Sequence, residues 1–171
     1  MPKNQVMSTT EARLTAGQRL AGFIYGTIVA LSVLVAGARA FPDSPGRVAV
    51  LVIVTCATFW LAHVYAHGLA HSVAHKEHLS LGVIGHIARR EGAIVEAAIP
   101  LVVALLLGAV GILPATTALW TAFALGLVVL AIQALVFARV EELSWPATLL
   151  VLTINLGLGL ALVALKLALA H

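Results

Sequence analysis

The sequence predicts an all-α, polytopic membrane bundle of about five spanning helices. Three observations carry that expectation. Hydrophobic residues make up 61% of the chain and charged residues only 10%, whereas soluble domains carry about 25% charged residues. The apolar residues gather into five runs, each near the ~20 residues that a helix rising ~1.5 Å per residue needs to cross a hydrocarbon core. The breaks between runs hold turn-forming residues and short polar stretches.

Taken in order, residues 1–19 form a polar segment that leads into span one, about 20–38. That run is long enough to stay in the membrane, so no cleavable signal peptide is expected. Phe41-Pro42-Asp43-Ser44-Pro45-Gly46 turns the chain into span two, about 48–72. The stretch from Leu79 to Arg90 has apolar residues at 79, 83 and 87 and reads as a short interfacial helix, with Gly82 and Gly85 counting against it. Spans three (about 93–112) and four (about 114–138) are joined by the apolar hairpin Gly111-Ile112-Leu113-Pro114. Ser144-Trp145-Pro146 opens span five, about 146–169, with proline in a tolerated first-turn position. Residues 20–171 thus read as one transmembrane domain, without internal repeat.

Basic residues set the expected direction. Lys3, Arg13, Arg19, Lys76, Arg89, Arg90 and Arg139 fall on one side of the spans, leaving Arg39, Arg47 and Lys166 for the other. The positive-inside rule then places the N-terminus in the cytoplasm and the C-terminus outside, in a bacterial-type plasma membrane. The net charge of +3 forms no basic patch, so lipid is the expected partner and nucleic acid is not. Cys56, the single cysteine, lies within an apolar run and reads as a small core residue. Two small-residue rows, Gly22-Gly26-Ala30 and Ala62-Ala66-Ala70-Ala74, read as helix–helix contacts within the chain or in a homo-oligomer.

The functional lead is a row of histidines at His63, His67, His71 and His75, all on span two. Residues four apart advance ~40° around a helix, so the row sweeps ~120° over ~18 Å of axis and shares one broad face. Span length divides it. His71 and His75 are expected at or beyond the cytoplasmic interface, where the reading as interfacial anchors also covers His78 and His86. His63 and His67 lie deeper, where ionisable residues are rare and usually functional. Glu96, just inside span three, is the expected partner of the deep pair, while Glu91 reads as a surface ion-pair residue. Tyr25, Gln133 and Asn155 fall at similar depth in spans one, four and five and form the expected supporting shell. Glu141 and Glu142 mark a solvated loop.

This constellation points to a protein that moves or senses cations through a histidine-rich site in the cytoplasmic half. The cation is a proton or a divalent transition metal such as zinc or iron, with His63, His67, His71, His75 and Glu96 as its ligands or relay. Two alternatives stand beside it: a membrane-embedded metalloenzyme, and a noncatalytic subunit or scaffold of a larger membrane complex. Adjacent His-His pairs of the kind used by membrane hydroxylases are absent, as are nucleophile motifs and phosphate-binding glycine loops.

Overall fold

The computed structural model describes residues 3–75 and 80–168, and the side chains within 17–74, 80–161 and at 164. Every element in it is a helix: α1 (Lys3–Ala40), α2 (Pro45–His75), α3 (Leu81–Glu91), α4 (Ala93–Glu96), α5 (Ile99–Ala109), α6 (Ala115–Val140) and α7 (Trp145–Ala168). The turns fall where the sequence placed them. Phe41–Ser44 separates α1 from α2, and Gly111, at φ +80°, turns the chain between α5 and α6. That backbone conformation is open to glycine without a Cβ penalty. Glu141 and Glu142 lie exposed in the turn before α7.

Gly17–Ala40, Pro45–Ala74 and Ala115–Val140 are each long and apolar enough to cross a membrane. Leu81–Glu96 and Ile99–Ala109 add a fourth span if the bent pair is counted as one. α7 is apolar over its continuous stretch of described side chains, Trp145–Ala161. Large apolar side chains such as Leu61, Tyr65, Val73, Ile132 and Leu150 face outward, a surface suited to lipid and not to water.

The third expected span departs from the reading of 93–112 as one straight helix. It is broken, and its two limbs meet at 52°. Pro100 is the local cause: it has no N–H to offer the Glu96 carbonyl, and its ring would clash with that carbonyl in a continuous helix. The backbone tightens just ahead of it, where the Ala98 amide bonds to the Val95 carbonyl at 3.1 Å. α5 alone, at 11 residues, rises only ~16 Å and cannot span a ~30 Å core.

α1 is the hub of the bundle, packing on α2, α4, α6 and α7. Leu31, Leu34, Val48, Val52, Leu101, Leu105, Phe123 and Leu130 fill the core between these helices. The closest backbone approach is at Gly26, where an added Cβ would run into the Ile94 carbonyl and come within 2.8 Å of the Ile94 Cα. The first small-residue row therefore acts inside the chain, seating α4 on α1. The second does not: Ala62, Ala66, Ala70 and Ala74 are all exposed. The inward stripe of α2 runs instead through the buried Val48, Val52 and Cys56, and its helical continuation passes Trp60, His63 and His67. Each alanine sits about 100° around the helix from the histidine that follows it.

A side-chain latch joins α2 to α3. The Trp60 indole Nε1–H donates to the Ala88 carbonyl at 2.9 Å, satisfying one of the four carbonyls left open at the end of α3. At the other end Ser80 caps α3, its hydroxyl accepting from the Val83 amide at 3.3 Å.

Two stability outcomes follow from these contacts. Gly26→Ala should lower unfolding stability in detergent by about 2 kcal/mol or more, because backbone and not a flexible side chain blocks the new methyl. Gly157→Ala, whose Cβ would meet nothing within 4 Å, should leave stability unchanged or raise it by up to ~1 kcal/mol. Trp60→Phe removes a hydrogen bond worth about 1 kcal/mol. Hydrogen exchange of the α3 amides should then speed up by about fivefold, while α5 amides keep their rates.

Candidate functional site

His63, partly buried, and His67, exposed, sit where α2 faces α1 and α3. His63 and His67 each point a ring Nδ1 at the carbonyl one turn back on their own helix: Phe59 at 2.9 Å for His63, and His63 at 3.0 Å for His67. A carbonyl oxygen only accepts, so each Nδ1 must carry the proton, and Nε2 is left as the basic atom of both neutral rings. The two rings stack with centroids 6.2 Å apart and an interplanar angle of 30°. Tyr25 of α1 packs its ring 5.1 Å from that of His63 and 5.9 Å from that of Phe59. Tyr25, His63 and His67 thus form a continuous line of aromatic rings from α1 to α2.

Beyond His67 the line reaches a carboxylate, and it is Glu91. The Glu91 Oε1 lies 3.6 Å from His67 Nδ1, close enough for charge attraction but too long for a hydrogen bond. Glu91 is only 8% exposed. Burial disfavours a carboxylate unless a cation compensates, and Arg90 supplies one through Nε and Nη2, each 3.2 Å from the same oxygen. A protonated His67 would supply a second.

Glu96, expected to partner the histidines, does something else. Its carboxylate takes two contacts from Arg19 Nη2, at 2.9 and 3.3 Å. The pair is open to its surroundings, with the Glu96 side chain 46% exposed. The two glutamates therefore exchange the parts the sequence reading gave them. The reason is the path of the chain. α3 packs chiefly on α2 and α4 chiefly on α1, so residues 88–96 lead from Trp60 of α2 to Arg19 of α1. Depth counted along a straight third span consequently mistakes which carboxylate enters.

The remaining expected residues divide. Tyr25 meets His63, as described. Gln133 is buried on α6, and its Nε2 donates to Thr27 Oγ1 at 3.2 Å. Thr27 in turn donates to the Phe23 carbonyl at 2.8 Å. The Gln133 Oε1 is buried without a hydrogen-bond partner among the described residues. Asn155 donates to the Val151 carbonyl of its own helix at 3.1 Å. Both amides thus serve the α1–α6–α7 side of the bundle and bond none of the histidines. His71 lies on α2 one turn beyond His67, partly exposed. The side chain of His75 and the whole of His78 fall outside the described residues.

Among the described residues, no three His, Cys, Asp or Glu side chains converge as a metal ion would require. The arrangement is instead a row of hydrogen-bonded imidazoles ending on a buried, arginine-paired carboxylate. Sequence reasoning set Glu91 aside because of its basic neighbours, yet Arg90 is the cation that lets it be buried. No protein-family model, curated protein or solved structure matches the chain.

Proposed function

We propose that this is an integral membrane protein that moves or senses protons through the line Tyr25–His63–His67–Glu91. The observation that carries the reading is Glu91, a carboxylate only 8% exposed whose oxygen lies 3.6 Å from the ring of His67, itself open on its other side, in a largely apolar bundle. Intramembrane ionisable groups are costly and concentrate where ions or protons pass. Imidazole suits the task because it changes charge near neutral pH. The proton is preferred to a divalent metal because, among the described residues, the imidazoles are strung out along α2 and no three donors gather at one point. His71, one turn beyond His67 on α2, extends this path. Glu96 is assigned to the Arg19 pair, outside it.

The finer topology belongs to the same proposal. α7 serves as a fifth span, the end bearing Arg19, Arg89, Arg90 and Arg139 faces the cytoplasm, and the membrane is of the bacterial plasma type. A homo-oligomer of the expected kind would use the exposed alanine face of α2, since Gly22 and Gly26 are occupied by Ala93 and Ile94.

Two measurements check these statements. In a Cys56→Ala background, an impermeant thiol reagent added outside cells should label Asp43→Cys and spare Glu142→Cys; the opposite pattern would invert the orientation. In proteoliposomes, His67→Ala and Glu91→Gln should each cut pH-driven proton flux, or the pH-dependent change in Trp60 fluorescence, by about tenfold, as for loss of a proton-transfer group. Glu96→Gln and Asn155→Ala should stay within about twofold of wild type on the same scale. If both readouts ignore His67→Ala and Glu91→Gln, the proton reading is wrong.

A further inference from the structure

The α2–α3 junction also holds a cleft that shares His67 and Arg90 with the line ending on Glu91. α3 rests against α2 through Ile87 and the Trp60 latch, and the two helices leave a cleft of about 460 Å³ between them. That volume falls within the ~300–1,000 Å³ range of ligand pockets. Its lining combines Val83 and Ile87 with His67 and His71 of α2 and His86 and Arg90 of α3. No carboxylate is part of that lining. Arg90 gives Glu91 only Nε and Nη2, so its guanidinium retains further N–H groups for another acceptor. His86 is exposed on α3 and makes no hydrogen bond, ion pair or ring contact with the described residues.

We infer that this cleft binds a phosphate-bearing anion. Every polar side chain in its wall is a donor or becomes one on protonation, and a guanidinium in the wall repels a metal cation. Arg and His⁺ form charge-assisted hydrogen bonds to phosphate oxygens, which are the strong members of their class. The location suits a lipid headgroup, because α3 is an amphipathic helix at the basic end of the bundle. Basic pockets between membrane helices at such ends accept anionic headgroups. Free phosphate offers the same chemistry. The inference does not depend on proton movement, since it rests on the open wall of the cleft and not on Glu91.

The test uses the full chain in uncharged detergent, titrated calorimetrically with dioctanoyl phosphatidylglycerol, dioctanoyl phosphatidylcholine and inorganic phosphate. Phosphatidylglycerol or inorganic phosphate should bind, and phosphatidylcholine should bind about tenfold more weakly than the anionic lipid. His86→Ala, which removes no contact to the described residues, should weaken anion binding by about fivefold to tenfold. His86→Arg should restore it, and Arg89→Ala, outside the cleft wall, should stay within about twofold. Binding of the lipid that millimolar phosphate does not displace identifies a headgroup site, and displacement identifies a general phosphate site. No binding of either anion, equal binding of the two lipids, or an unchanged His86→Ala affinity would overturn the inference.

Discussion

The arrangement of this bundle depends on one backbone contact, that of Gly26 with Ile94. Because no side chain stands between them, α4 can lie directly on α1. The short helices on either side of Ile94 take their courses from that seat. α3 reaches back to α2 and is fixed there by the Trp60 indole, while α5 leaves toward α6 after Pro100. Move α4 outward by a methyl group and Glu91 no longer lies against His67. The site is thus held by packing at Gly26, next to Tyr25, and at Ile94, three residues after Glu91.

Much of the fold was legible in the sequence because hydrophobic length and turn residues are local signals. The all-helical fold, the apolar helices α1, α2 and α6, the Pro-rich turn after α1, the hairpin at 111–114 and the start of α7 at Trp145 fall where expected. The break in the third span was less visible, although Pro100 was there to be read. A proline near the start of an apolar run is compatible with a helix beginning there or bending there, and only the partner surface decides between them. Gly26 supplies that surface, and it lies some seventy residues earlier.

The candidate site was half legible for the same reason. His63, His67 and Tyr25 come together because four-residue spacing along a regular helix is a local signal. The choice between Glu91 and Glu96 required the path of a segment that leads from α2 to α1, which counting along a helix does not provide. The alanine row fails differently. Small residues permit close approach without requiring it, and on α2 the neighbouring stripe carrying Val52, Cys56 and Trp60 takes the contact instead.

The bonds that His63 and His67 make to their own helix have a kinetic consequence. With Nδ1 committed to a backbone carbonyl, each ring takes up a proton at Nε2 and must release it from that same atom. Forward transfer through a ring would leave Nδ1 bare against a carbonyl oxygen, a lone pair facing a lone pair, until the imidazole turned over. Were the proposed proton path to operate, its throughput along such a row would be set by ring rotation and not by acid strength. Between rotations each histidine would then be a reservoir that fills and empties through a single opening.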